Sequence, residues 1–324
     1  DYGGTGLSRL DATLVFEALA MACPSVGSFL SIHNMCGGMI DRFGTSANRA
    51  RWLPGLCGME TVFSYCLTEP GSGSDAAALR CRAERVPGGW RLNGTKAFIS
   101  GGGYSDCYLV MVRTGAAGPK GISAMVVEAG TPGLSFGAPE RKMGWKAQPT
   151  AQVQFDDCLI PEENLIGEEG RGFAYAMAAL DGGRLNISAG ALGGAQAALD
   201  ATLRYMGERR AFGQTLDQFQ ALQFRLAEME TALQSARIFL RQAAWKLDMQ
   251  APDATRFCAM AKLHVTDRAF EVANQCLQLH GGYGYLADYG IEKLVRDLRV
   301  HQILEGTNEI MRLIISRALL AERG

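Results

Sequence analysis

Apolar side chains recur every three or four positions through residues 10–51, at Leu10, Leu14, Phe16, Leu19 and Ala20 and again at Phe29, Ile32, Met35, Met39 and Ile40. That spacing turns one face of a helix toward a core. Pro24 and Gly27 punctuate the stretch, and Pro54-Gly55 closes it. The texture then changes. Residues 61–68, 89–92, 96–99, 108–113, 123–128 and 151–155 are short β-prone runs separated by Gly, Pro, Asn and Asp, which predicts an antiparallel sheet or barrel. After Pro161 the helical period returns: Leu222, Leu226, Met229, Leu233, Ile238, Leu240 and Leu247 mark a stripe within 219–249, and residues 255–279 carry another. Long helices joined by short loops make a bundle. The order of helices, strands, then helices predicts an α+β chain and excludes a regularly alternating βαβ fold with its Rossmann nucleotide site. Three parts are expected: a helical domain over 1–60, a β domain over 61–162 and a helical bundle domain over 163–324.

Composition narrows the function classes. Of the 324 residues 48% are apolar and 20% charged, which describes a well-cored globular protein. Lys plus Arg total 32 against 33 for Asp plus Glu, so no excess of basic charge is present for a nucleic-acid backbone or an anionic membrane surface. The nine cysteines form no C-x-x-C pair and read as buried thiols in a reducing compartment. Four histidines without H-E-x-x-H or H-x-H spacing make a dedicated metal site unexpected. No run is apolar and long enough to span a bilayer, and the chain opens on Asp1-Tyr2-Gly3-Gly4 without a basic-then-apolar stretch, so targeting information is expected to be absent or to have been removed with whatever preceded it. The 40 glycines have no three-residue period and must mark turns, caps or close backbone approaches.

Several glycine-rich segments are candidates for chemistry. Thr68-Glu69-Pro70-Gly71-Ser72-Gly73-Ser74-Asp75 lacks the Gly-Lys-Ser/Thr of a phosphate loop, and no helix is expected behind it. Its N–H groups and hydroxyls suit the edge of a heterocycle, and a plain β-turn is the alternative. Phe98-Ile99-Ser100-Gly101-Gly102-Gly103 places an aromatic and a hydroxyl where glycines allow close approach, or else it is a bulge. Arg209-Arg210-Ala211-Phe212-Gly213, followed by Phe219-Gln220, offers cations for a pyrophosphate or is a solvated helix end. Gln278-Leu279-His280-Gly281-Gly282 marks a helix C-terminus. Glu305, set between apolar residues and Gly306-Thr307, is a general-base candidate because desolvation raises a carboxyl pKa; a helix cap is the other reading. Glu309 opens the next helical run, where the helix dipole favours an acidic side chain.

Taken in order, Tyr65-Cys66-Leu67-Thr68-Glu69-Pro70-Gly71-Ser72-Gly73-Ser74-Asp75, Lys96-Ala97-Phe98-Ile99-Ser100-Gly101, Arg209 with Phe212-Gly213, residues 278–282 and Glu305-Gly306-Thr307 resemble the acyl-CoA dehydrogenase family over essentially the whole chain. The resemblance implies an FAD held between the β domain and the helical bundle and completed by a neighbouring subunit. It implies that Tyr65, Cys66, Leu67, Thr68, Gly73, Ser74, Phe98, Ile99 and Ser100 line the flavin. Arg209, Phe212, Phe219, Gln220, Gln278, Leu279, His280, Gly281 and Gly282 would approach a partner's cofactor, and Thr307, Asn308 and Glu309 the nucleotide portion. Ser74, Asp181, Gly182, Gly183, Arg184 and Arg317 match the family's substrate contacts. Glu305 matches its catalytic base, which removes the α proton of a thioester while a β hydride passes to the flavin.

Members of the isovaleryl type carry their base just before the Arg that matches Arg184. Here that position is Gly183, which argues against that type. The runs Ser31-Ile32-His33-Asn34-Met35, Asp181-Gly182-Gly183-Arg184-Leu185-Asn186 and Leu279-His280-Gly281-Gly282-Tyr283-Gly284-Tyr285-Leu286 resemble members acting on a short branched thioester such as isobutyryl-CoA. 2-Methylbutyryl- or butyryl-CoA, or a non-catalytic flavoprotein or assembly factor of the same fold, are the alternatives. The expected partners are an electron-transferring flavoprotein and further copies of the chain as a dimer of dimers. The expected compartment is a bacterial cytoplasm, or the mitochondrial matrix in a eukaryote. Asp1-Tyr2-Gly3-Gly4-Thr5-Gly6 resembles the loop after the family's first helices, so the opening of the N-terminal helical domain is expected to be missing.

Overall fold

The computed structural model describes residues 1–322. Three helices, α1 (Arg9–Ala22), α2 (Pro24–Phe43) and α3 (Ser46–Cys57), precede eight strands: β1 (Phe63–Cys66), β2 (Arg82–Val86), β3 (Gly89–Ser100), β4 (Cys107–Arg113), β5 (Ile122–Glu128), β6 (Leu134–Phe136), β7 (Thr150–Pro161) and β8 (Leu165–Ile166). Helix α4 (Gly172–Glu208), a small hairpin of β9 (Arg210–Ala211) and β10 (Gln214–Thr215), and helices α5 (Gln220–Asp248), α6 (Ala254–Leu279), α7 (Ile291–Arg299) and α8 (Asn308–Ala321) follow. The α+β order expected from the periodicity is the observed one. The chain divides into two compact units, one of residues 1–6, 29–141 and 147–180 and one of residues 7–28, 142–146 and 181–324.

The first unit is built on an eight-stranded sheet in the order β6-β7-β3-β2-β4-β5-β8, with β1 also paired to β4. It is mixed rather than antiparallel, because β1 and β2 both run parallel to β4. Strand β4 explains why an unbroken apolar run was needed: Leu109 and Met111 enter one core with Trp52, Phe63 and Ile122, while Tyr108, Val110 and Val112 enter a second with Trp90, Leu92 and Phe155. Successive side chains point to opposite faces, so a strand covered on both sides is apolar throughout. Residues 89–92 and 96–99 prove to be one strand, β3, whose register against β7 shifts at two bulges. The turn expected between them is taken up by Gly94, where a Cβ would come within 2.6 Å of the Cys81 backbone. Strand β2 was not foreseen, since its charges at Arg82, Glu84 and Arg85 mask a short alternation around the buried Ala83.

Two prolines behave otherwise than their punctuation suggested. Pro24 is the first residue of α2, where its missing N–H has no intrahelical partner to lose. Pro54 lies inside α3, which continues to Cys57. Seven cysteines are buried, Cys23 is partly so and Cys57 is exposed, and all nine are free thiols.

In the second unit α6 is central, packing on α5, α7 and α8, while α1 packs on α5. Small and branched side chains at Leu233, Leu240, Val265, Ala269 and Ala273 are fully buried there. Glu17 of α1 accepts hydrogen bonds from Arg237 and Arg241 of α5. The carboxylate of Asp248 receives the Arg9 and Leu10 N–H groups at 2.7 and 3.0 Å, which neutralises the positive end of α1. Residues 142–146 also belong to this unit: the Trp145 N–H donates to buried Asp297, and Gly144 leaves no room for a Cβ against the Arg296 carbonyl.

Candidate active site

Between α7 and α8 the chain makes a turn that two consecutive residues shape in the left-handed region, Glu305 at φ 56° and Gly306 at φ 86°. A non-glycine residue there is disfavoured by about 1–2 kcal/mol, so surrounding contacts must hold it. Thr307 ends the turn as the N-cap of α8, its hydroxyl accepting the Ile310 N–H at 3.3 Å. The turn aims the Glu305 side chain at α4, where its Oε2 lies 2.6 Å from the point that a Cβ on Gly183 would occupy. Gly183 is therefore the space into which this carboxylate fits. Oε2 is enclosed and has no hydrogen-bond partner. Burial raises the Glu305 carboxyl from 4.5 to about 7, against the opposing pull of Arg184 and Lys262. A carboxyl poised near neutrality and lacking donors suits general-base work at physiological pH.

Beneath the turn is a polar network that the sequence reading did not single out. Lys262 of α6 is fully buried, and its ammonium donates to the Gly306 carbonyl and to Asn308 Oδ1, both at 2.8 Å. Asn308 in turn donates to Asp267 at 2.7 Å and to Thr266 at 3.1 Å. Its side chain is thus occupied inside the fold, and only main-chain groups of this residue remain to meet a nucleotide. Glu309 is exposed beside Arg312. The signal for Lys262 was a lone lysine inside an apolar helical stripe, Ala259-Met260-Ala261-Lys262-Leu263.

On α4, buried Asp181 and Arg184 pair at 2.7 Å, and Thr255 donates to the other Asp181 oxygen at 2.6 Å. Gly182 faces the Arg9 guanidinium. Arg317 is exposed on α8.

The second unit also contains a cleft of about 570 Å³ that brings together Arg209, Gln278, Leu279, His280, Gly281 and Gly282 with Tyr205, Arg225, Tyr283 and Leu286. Arg209 lies over the Tyr283 ring at 5.2 Å. His280 stacks on Tyr205 at 4.3 Å and its Nδ1 lies 2.8 Å from the Cys276 carbonyl, so its ring is held by the fold. Phe212, at φ 50° on the β9–β10 turn, is 97% exposed and meets Phe219 edge-on. Gln220 begins α5.

In the first unit the Ala97 N–H donates to the Thr68 carbonyl at 2.8 Å, joining the two segments expected to line a flavin. Phe98 sits on a bulge at φ 59° and is 68% exposed, whereas Cys66 and Ile99 are buried in the sheet core. Only main-chain atoms of the latter two can face a ligand. Tyr65, Leu67 and Thr68 are half-buried, and Gly73 and Ser74 lie on an exposed turn. Behind that turn Glu69 accepts the Arg80 and Cys81 N–H groups at 2.6 and 2.8 Å and pairs with fully buried Lys96 at 2.8 Å.

Models of the acyl-CoA dehydrogenase N-terminal, middle and C-terminal domains match residues 1–60, 64–158 and 170–320. The mitochondrial isobutyryl-CoA dehydrogenase of Bos taurus is 55% identical over 322 residues, 99% of this chain and 77% of the relative. A chain solved in work on the electron transferring flavoprotein of Acidaminococcus fermentans and flavin-based electron bifurcation superposes with a TM-score of 0.96 at 41% identity, covering 98% of this chain and 84% of that one. PigA with FAD and proline superposes with a TM-score of 0.94 at 32% identity, covering 100% and 85%. The three matched domains, which together cover most of the sequence, and the identity to the bovine relative place this chain in the acyl-CoA dehydrogenase family.

Proposed function

We propose that this protein is an FAD-dependent acyl-CoA dehydrogenase that converts isobutyryl-CoA to methacrylyl-CoA and passes the electrons to an electron-transferring flavoprotein. The observation that carries this reading is the Glu305 carboxyl, enclosed without a donor against Gly183 and raised to about 7. Identity to the bovine isobutyryl-CoA dehydrogenase supports the acyl group. Similarity to the Acidaminococcus chain supports the electron partner.

The residues present fit a flavin dinucleotide. The cleft offers the Arg209 guanidinium and Gln278 amide beside Gly282, where even an added Cβ would meet nothing, which suits a pyrophosphate or ribose. The bulged, exposed Phe98 ring suits the flat apolar body of a heterocycle, and Thr68, bonded to the same strand through Ala97, suits its polar edge. When bound, the flavin supplies the oxidant that accepts the β hydrogen as hydride. Glu305 takes the α proton, so the two losses leave a double bond between the α and β carbons. The Glu305 N–H is the donor we assign to the thioester oxygen, where it acidifies the α carbon. Ser74, Asp181, Gly182, Gly183, Arg184 and Arg317 are the proposed substrate contacts.

The residues 1–60, 61–162 and 163–324 are the three functional parts we assign. We also propose a dimer of dimers, because exposed Phe212, Arg209 and Gln220 suit contact with a partner's cofactor. Among the described residues no helix is long and apolar enough to cross a membrane. A bacterial cytoplasm, or the matrix in a eukaryote, is the compartment proposed.

The test is anaerobic addition of isobutyryl-CoA to the flavin-loaded protein, following the oxidised flavin absorbance. Bleaching is expected, slowed by roughly 10²- to 10⁴-fold in Glu305→Gln. No bleaching in fully loaded protein, or unchanged bleaching in the variant, overturns the mechanism. Turnover of isobutyryl-CoA below that of 2-methylbutyryl- and butyryl-CoA overturns the acyl-group assignment. The preference rests on one branch methyl, worth ~1–3 kcal/mol in an apolar pocket.

A further inference from the structure

Lys262 is fully buried, and the acceptors at hydrogen-bond distance from its ammonium are uncharged: the Gly306 carbonyl and Asn308 Oδ1, each at 2.8 Å. An ammonium has three donors and no acceptor, so a buried lysine fixes whatever oxygens it binds. Here those oxygens flank the turn that follows Glu305, a residue whose left-handed φ of 56° is not self-supporting. Asn308 is locked from its other side by Asp267 and Thr266, which leaves the ammonium a rigid seat. We propose that Lys262 is the positioning residue of this turn: it pins the Gly306 peptide and Asn308, thereby fixes the direction in which Glu305 leaves the backbone, and lends the carboxylate a buried positive charge. The inference rests on the reading of Glu305 as the base.

The charged groups around the pair are few. Arg184 of α4 and Lys262 of α6 face Glu305, and Glu305, Arg184, Asp267 and Glu309 act on Lys262. Arg184 already has a carboxylate partner in Asp181, so Lys262 is the cation not neutralised by a direct ion pair. Burial lowers Lys262 to about 7 while the Glu305 carboxylate works against that fall, and burial raises Glu305 to about the same value. Each charge acts on the other: the Glu305 carboxylate favours the ammonium, and the ammonium favours the carboxylate. Removing the lysine therefore leaves a carboxyl with only Arg184 to favour its ionised form, and the acid limb of kcat/KM must move to higher pH.

The experiment uses the full chain loaded with flavin and two substitutions. Lys262→Met keeps the volume and removes the charge. Lys262→Gln keeps a hydrogen-bond donor for the turn and removes the charge. Each is expected to move the acid limb up by about one pH unit, roughly a tenfold loss of kcat/KM at pH 6. The Glu305 carboxyl stretch in the infrared, assigned by its loss in Glu305→Gln, should titrate at correspondingly higher pH. A carboxyl band that titrates at the native pH in either folded variant overturns the proposal. Lys262→Gln, which still offers the turn a donor, decides the matter if Lys262→Met fails to fold. Because the band reports ionisation whether or not turnover occurs, it separates failure of this assignment from failure of Glu305 as base, which shows as unimpaired flavin bleaching in Glu305→Gln.

Discussion

Two glutamates, Glu69 in the sheet unit and Glu305 in the helical unit, each lie near a fully buried lysine, and the surroundings built around them differ sharply. Glu69 receives two main-chain N–H groups and the Lys96 ammonium. Burial works to raise its pKa, yet Lys96 and those donors hold it below the ordinary 4.5. Glu305 has an enclosed oxygen without a donor and is carried up to about 7. Its lysine is turned to a carbonyl and an amide oxygen instead. The lesson is that a buried lysine nearby is not enough: Glu69 is held down by direct pairing with its lysine and by the N–H groups donated to it, and Glu305 has neither. Glu69 is saturated and holds a loop in shape. Glu305 is left with lone pairs for a proton.

The contrast can be broken most forcibly at Lys96. Lys96→Met strands a buried carboxylate and is expected to cost about 3–5 kcal/mol, read as a collapse of the thermal midpoint. A loss below about 1 kcal/mol would mean that the two N–H donors suffice and that the pairing contributes little. Gly183→Ala probes the other carboxylate: a methyl placed 2.6 Å from Oε2 must push Glu305 aside, lowering kcat/KM by roughly 10²-fold. Unchanged kinetics in that variant would show that the turn can yield.

The third probe is pH. Glu69 has a lowered folded pKa, so its stabilisation is present above 4.5 and disappears as pH falls through the folded value. Glu305 has the opposite sign. Its neutral form is favoured in the fold, so the protein should lose stability relative to Glu305→Gln as pH rises from 4.5 through about 7, and stay level beyond. Parallel melting curves for the two proteins across that window would remove the distinction drawn between the carboxylates. The smallest effect is expected at Thr307→Ala, which loses one neutral capping bond after the Glu305 turn and should cost about 1 kcal/mol in urea unfolding.

How far these features were legible depended on whether their signal was local. The stripes of α5 and α6 and the apolar run of β4 wrote most of their burial into residue spacing, and their boundaries followed closely, although Ile238 of the α5 stripe is exposed. Glu305 stood out because a carboxylate between apolar residues and Gly-Thr is chemically odd within nine residues. The parallel pairing of β1 and β2 with β4 was hidden, because which strands become neighbours is set by connections far apart in sequence. Lys262 was hidden for the same reason, since its acceptors at Gly306 and Asn308 lie more than forty residues away. Gly183 was visible as an absence of a second base, but its role as the space for Glu305 needed coordinates. Cys66 and Ile99, quoted within cofactor motifs, face inward because alternate residues of a strand must do so.

The five-residue stretch 142–146, which joins the helical unit by way of Trp145 and Asp297 while its flanks stay with the sheet, has a consequence for how the molecule is made. On a ribosome, every segment of the sheet unit has been synthesised once residue 180 is reached. The helical unit has by then received only residues 7–28 and this clip, and both must wait for α5, α6 and α7. The first helix and the clip are thus held in trust by a nascent chain whose other half is already able to close. Order of birth, rather than stability, is what sets the two halves apart at that moment.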